Sequence, residues 1–143
     1  MDLKQGDILH ERYWIESILG KGGMGAVYLA YDKNLDQKVA VKINRDPSEQ
    51  ASKQFIKEAQ LLASLRHTNL PRVIDYFVTE MDEVLVMDYI PGTDLSDLIQ
   101  NEGAQPMDKV MGWLEQLGDA LSYMHGQKPP VVLRGTTKTL CLI

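Results

Sequence analysis

Three glycines, a lysine and a glutamate are the residues in this chain whose types and spacing could do chemistry. Gly20-x-Gly22-x-x-Gly25 is a glycine cluster of the kind that brings backbone N–H groups close to phosphate oxygens. Three arrangements use such a cluster. A Walker A loop needs Lys-Ser/Thr after its last glycine, and Ala26-Val27 stands there instead. A dinucleotide fingerprint must open a helix, but here the glycines run into Ala26-Val27-Tyr28-Leu29, which reads as a strand. What remains is a flexible hairpin whose amides close over nucleotide phosphates. Lys42 follows seventeen residues after Gly25, at the end of Val39-Ala40-Val41-Lys42. A lysine on the inner face of a strand needs a partner, because a desolvated charge is costly alone. Glu58, sixteen residues further on, stands one turn from Phe55 and Leu62 on a helical pattern and is the natural partner. Such a pair would hold the amine charged and aimed at phosphates.

The elements that must position these residues are legible from periodicity. Residues 13–19, 26–31 and 38–43 read as strands of an antiparallel meander, with the glycines in its first hairpin. Asp46-Pro47-Ser48-Glu49 predicts a helix start with Asp46 as the N-cap, Pro47 at N1 and Glu49 closing a capping box. Phe55, Ala59, Leu62 and Leu65 give that helix one apolar face, and it is expected to stop near residues 67–69, before Pro71. Strands are predicted over 72–79 and 83–89. Pro91-Gly92 marks the clearest break. A short helix over 94–100 and a long one over 107–125 follow, the latter with Val110, Leu114, Leu117, Leu121 and Met124 as an apolar stripe, and an extended tail over 131–143.

Composition sets the outer bounds. The 143 residues suit one ordinary domain, and 44% hydrophobic with 24% charged residues is a soluble globular balance. A net charge of -5 argues against nucleic-acid binding and against docking on anionic membranes. No apolar run approaches a membrane span, and the N-terminus has no hydrophobic signal core. With Cys141 as the single cysteine, no intrachain disulfide forms and a reducing, cytoplasmic setting is expected. The three histidines have no metal-ligand spacing, and no metal site is expected.

Taken together, residues 12 to about 100 resemble the N-terminal lobe of a eukaryotic-like (Hanks-type) bacterial Ser/Thr protein kinase. The matching features stand in order: the glycine loop with Val27 two residues beyond it, the Val-Ala-Val-Lys strand, the helix glutamate, Leu65-Arg66-His67-Thr68-Asn69-Leu70, and Val84 to Gly92 as fifth strand, gatekeeper and hinge. The resemblance implies an α+β fold. Residues 1–90 would form the N-lobe, a five-stranded antiparallel sheet with one packed helix, and 91–143 the hinge, two helices and a catalytic-loop tail. It also implies an ATP pocket. Leu19, Val27 and Ala40 would roof the adenine and Met87 would be the gatekeeper. Backbone groups of Asp88 and Ile90 would bond the adenine edge, Asp94 the ribose, and Leu142 would form the floor. Gly20, Gly22, Gly25 and Lys42 would serve the phosphates.

The chain departs from the family at its end. In Val131-Val132-Leu133-Arg134-Gly135, Gly135 stands where the family has its catalytic aspartate. Thr137 replaces the following lysine and Leu140 the metal-binding asparagine, and no Asp-Phe-Gly follows. Base and metal ligands both matter to phosphoryl transfer. The expectation is therefore a truncated kinase domain that binds ATP, with Mg²⁺ binding weakened and phosphotransfer deficient. Two alternatives stand beside it: a minimal active kinase completed by dimerisation, and a docking module that binds no nucleotide. The apolar stripe of the long helix predicts self-association through residues 107–143, the other possibility being that the helix folds back on its own lobe.

Overall fold

The computed structural model describes residues 3–22 and 25–132. They divide into two compact units, one of residues 3–64 and 72–89, the other of 65–71 and 90–132. The first holds β1 (Ile8–Leu9), β2 (Tyr13–Gly22), β3 (Gly25–Asp32), β4 (Gln37–Asn44), α1 (Glu49–Ser64), β5 (Val73–Val78) and β6 (Glu83–Asp88). The strands form one antiparallel sheet in the order β1-β2-β3-β4-β6-β5. The α+β architecture is the expected one, but the sheet has six strands where five were expected. The extra strand is two residues long, too short for any period to show. It is set by main-chain bonds, Gly6 N–H to Ile15 O at 2.9 Å and Ile15 N–H to Asp7 O at 2.8 Å.

Period-two alternation decides which side chains lie inside. Tyr13, Ile15, Tyr28, Ala30, Val39, Val41, Ile43, Val84 and Val86 form one buried cluster on one face. The sheet curls over that cluster until its early and late strands meet. Tyr13 Oη donates to Asp75 Oδ2 at 2.8 Å, and its ring stacks on Phe77 with centroids 6.0 Å apart.

Asp32 is the ion at this seam. Fully buried at the end of β3, it takes a bidentate pair of bonds from Arg12 (2.8 and 2.7 Å) and main-chain bonds from Asn34 and Leu35. The Arg12 hydrogen bonds hold its carboxyl below the usual carboxylate range, against the opposing effect of burial. A carboxyl whose folded pKa is depressed contributes stability that is present above its unfolded pKa, about 3.9, and lost as pH falls through the folded value. Asp32→Asn is expected to cost about 2 kcal/mol at pH 7. Denaturant titrations at pH 7 and pH 3 check this: the gap between wild type and variant narrows at the lower pH.

The start of α1 differs from the sequence expectation. Ser48, not Asp46, is the cap: Ser48 Oγ accepts from Ala51 N–H at 3.2 Å, and Ser48 O receives Ser52 N–H at 3.0 Å. Asp46 instead closes a turn before the helix by accepting from Ser48 N–H at 2.9 Å. Two residues with capping chemistry stood either side of Pro47, and the one nearer the periodic segment took the role. The helix also ends earlier than expected, at Ser64. The strands predicted over 72–79 and 83–89 run from Val73 to Val78 and from Glu83 to Asp88.

The second unit contains α2 (Leu95–Glu102) and α3 (Met107–His125). Asp94 caps α2, its Oδ1 accepting from Asp97 N–H at 2.8 Å, and Gly103 ends it at φ 78°, where glycine is the easy residue. Residues 65–71 lie along α3. Leu65 and Leu70 pack with Met124 and Val131, flanked by Leu121 and Tyr123. Arg66 N–H donates to Tyr123 Oη (2.8 Å) and Asn69 Nδ2 to Gln116 Oε1 (2.9 Å). His67 Nδ1 accepts from Asn69 N–H, so Nε2 carries the hydrogen and donates to Asp119 at 3.0 Å. The expected stripe of α3 is thus covered at Leu121 and Met124, while Leu114 lies with Met107 and Met111 on the exposed side.

Candidate functional site

The face of the first unit's sheet opposite its buried cluster carries the candidate chemistry. Strand register puts Val27, Lys42 and Leu85 in one cross-strand row and Leu29, Ala40 and Met87 in the next. The side chains of each row share a face because alternation is preserved across an antiparallel ladder. α1 covers one end of this face. Phe55 and Ala59 bury against Leu85, with Val73, Tyr76 and Met87 at the margin.

That packing brings Lys42 and Glu58 together. Lys42 Nζ donates to Glu58 Oε1 at 2.7 Å and lies 5.7 Å from the centre of the Phe55 ring. The side chains keep 33% and 41% of their exposure, so the pair is reachable from solvent. Such a pair adds little to stability but fixes where the amine points.

The glycine hairpin runs from the same sheet. β2 and β3 pair as far as Gly22 with Gly25, through Gly20 opposite Val27. Its glycines differ in what surrounds them. A Cβ on Gly25 would stand 1.9 Å from the carbonyl oxygen of Ile43, so the close approach of β3 to β4 demands glycine there. A Cβ on Gly20 or Gly22 would meet nothing within 4 Å. The fold does not need glycine at those two places. Something approaching the main chain there from outside would meet no side chain at either glycine.

The other expected residues are placed as follows. Leu19 lies in the irregular stretch of β2 between Ile18 and Gly20, 46% exposed. Ala40 is nearly buried, and Met87 is half-buried. Asp88 ends β6. Its carboxylate takes a bidentate pair from Arg72 (2.9 and 3.1 Å) and its N–H donates to Arg72 O. Ile90 and Asp94 belong to the second unit, and Asp94 spends one carboxylate oxygen on its helix cap. Gly135, Thr137, Leu140, Cys141 and Leu142 lie outside the described residues. Among the described residues no three His, Cys, Asp or Glu side chains converge as metal ligands, and no helix is long and apolar enough to cross a membrane.

One polar cluster was not foreseen. Glu83, at the start of β6, accepts from Asn44 Nδ2 (2.8 Å), Ser52 Oγ (2.6 Å) and Tyr76 Oη (3.3 Å). Burial pushes its carboxyl upward, but these three donors outweigh burial and hold it below the usual range. Asn44 was the available signal. It stands two residues beyond Lys42, and so on the same face of the strand.

Comparison with known proteins agrees with this geometry. The protein kinase domain family matches residues 13–134. The chain belongs to that family. The kinase domain is 36% identical over 125 residues to the serine/threonine-protein kinase PksC of Streptomyces coelicolor, a match covering 80% of this chain and 22% of that protein. It is 34% identical over 125 residues to the serine/threonine-protein kinase PrkC of Bacillus subtilis, covering 84% and 19%. A probable serine/threonine-protein kinase of Clostridium perfringens, CPE1738, is 34% identical over 123 residues, covering 84% and 18%. The chain thus spans about a fifth of the length of these relatives. Within the kinase domain, the described residues supply the curled antiparallel sheet, the helix on its open face with the Lys42–Glu58 bond, and the helices α2 and α3 of the second unit.

Proposed function

We infer that the open face of the first unit binds the triphosphate and adenine of ATP, and that the chain as it stands transfers phosphate poorly. The Lys42–Glu58 bond, beside a hairpin whose Gly20 and Gly22 the fold itself does not require, carries this reading. Main-chain N–H groups at those glycines and the Lys42 amine would take phosphate oxygens, as charge-assisted hydrogen bonds. Leu19, Val27, Ala40 and Met87 would meet the purine, and the Asp88 main chain its edge. Ile90, Asp94 and Leu142 keep the roles that the family resemblance gives their positions.

The expected deficiency in transfer rests on the sequence. Gly135 and Leu140 offer neither the carboxylate that accepts the hydroxyl proton nor the amide that helps hold the metal. Mg²⁺ is accordingly expected to add little to ATP affinity. The row of Met107, Met111 and Leu114 left exposed on α3 supports self-association through residues 107–143. The single cysteine supports a reducing, cytoplasmic setting.

Thermal shift tests the reading. ATP at 1 mM should raise the melting temperature, by nearly the same amount with and without 5 mM Mg²⁺. No shift with ATP would turn the reading toward a docking module. A shift that needs Mg²⁺, together with label transfer from γ-labelled ATP that Lys42→Met abolishes, would turn it toward an active kinase.

A further inference from the structure

We propose that Glu83 and Ser52 are positioning residues for the Lys42–Glu58 pair, forming a polar latch that fixes how α1 is set on the sheet. The apolar contact of α1 with the sheet is Phe55 and Ala59 against Leu85, with Val73, Tyr76 and Met87 at its margin. Apolar burial is non-directional, so it holds a helix against a sheet without fixing its rotation or its slide along its axis. Hydrogen bonds are directional and do fix these. The latch supplies one such bond, Ser52 Oγ to Glu83 Oε1 at 2.6 Å, and Glu58 supplies a second to Lys42 at 2.7 Å. Six residues separate the two attachment points, about 9 Å along the helix axis. A helix pinned at two points so spaced can neither roll nor slide.

The sheet side of the latch is itself held. Glu83 is also bound by Asn44 at the end of β4 and by Tyr76 of β5. Asn44 in turn accepts, through Oδ1, the N–H of Asp46 in the approach to α1 (3.1 Å). The strand that carries Lys42 and the helix that carries Glu58 are therefore tied to one carboxylate. Loss of Ser52 Oγ removes the bond from α1 to the latch while leaving every apolar contact in place. The consequence for nucleotide affinity rests on the function proposed above, whereas the effect on the pair does not.

The test reads the pair without nucleotide. The acylation rate of the Lys42 amine by acetyl N-hydroxysuccinimide is followed by peptide mass spectrometry on the full chain, with exposed Lys57 as internal reference. An amine held by a carboxylate reacts more slowly than a released one. Glu58→Gln is expected to raise the Lys42 rate at least threefold relative to Lys57. Ser52→Ala, which keeps the helix because alanine favours it, and Glu83→Gln are expected to raise it about as much. The double variant Ser52→Ala/Glu58→Gln should show no further rise. Lys42 rates unchanged in Ser52→Ala and Glu83→Gln overturn the proposal. So does equal acceleration at Lys42 and Lys57, which marks a general loosening, and so does a Glu58→Gln variant with no effect. ATP titration of the same proteins separates the two ideas. If Lys42 responds as described and the unaltered chain binds no ATP, the latch stands and the nucleotide reading falls.

Discussion

Lys42→Met is expected to weaken ATP binding at least about ten-fold while leaving the melting temperature of the nucleotide-free domain nearly unchanged. The two halves of this result have separate causes. Hydrogen bonds from a charged donor are worth about 1.5–3 kcal/mol, which is ten-fold or more in affinity. The Lys42–Glu58 bond itself is part-exposed at both ends, and pairs of that kind contribute about 0–1 kcal/mol to folding. Methionine keeps the length of the stem that passes Phe55, so packing changes little. Titration with a fluorescent ATP analogue, alongside thermal melts without nucleotide, measures both. ATP binding at full strength in Lys42→Met would remove the amine from the site.

Gly25→Ala is expected to cost the domain about 2–3 kcal/mol, whereas Gly20→Ala and Gly22→Ala cost it nothing measurable and instead weaken ATP binding several-fold. At Gly25 the added methyl would stand 1.9 Å from Ile43 O, a main-chain atom of the neighbouring strand that cannot swing aside. The β3–β4 ladder must then part at its Gly25–Asn44 end, and overpacking of this kind costs about 1–3 kcal/mol. At Gly20 and Gly22 the methyl enters open space, and restricting the unfolded chain even favours folding slightly. Its only obstacle would be a ligand approaching the main chain. Denaturant melts paired with ATP titrations on the three variants separate a glycine required by the fold from two required by a ligand. Loss of stability at all three positions, with unaltered ATP affinity, would contradict the assignment.

These two experiments bear on different parts of the same sheet. Lys42 reports on its open face, and Gly20, Gly22 and Gly25 report on the β2–β3 hairpin. The latch at Glu83 bears on the first of them, because it sets the helix whose carboxylate meets Lys42. A chain that fails at the latch would keep its fold and lose only the aim of its amine. Asp32 has the opposite role. It closes the seam of the sheet, carries no site residue, and its loss is expected to be felt in stability alone.

Much of the site was readable along the chain because its spacing is local. Period two in Val39-Ala40-Val41-Lys42-Ile43 already separates Ala40 and Lys42 from the buried Val39, Val41 and Ile43, and the helical period of Phe55, Ala59 and Leu62 already places Glu58 beside the apolar face. Alternation within a segment is a property of backbone geometry, and no distant residue is needed to see it. The family likeness added the order of these pieces. What tertiary structure alone decided were the meetings of residues far apart in sequence: Val27 beside Lys42 and Leu85, Arg12 on Asp32, Tyr13 on Asp75, and Glu83 joined to Asn44, Ser52 and Tyr76. Each depends on strand register and on how far the sheet curls, and both are set by packing of the whole unit. A one-residue slip would turn every side chain of a strand to the other face. A short strand such as Ile8–Leu9 and a choice between two caps on either side of Pro47 fall below what periodicity can resolve; main-chain bonds settled the first and the Ser48 hydroxyl the second.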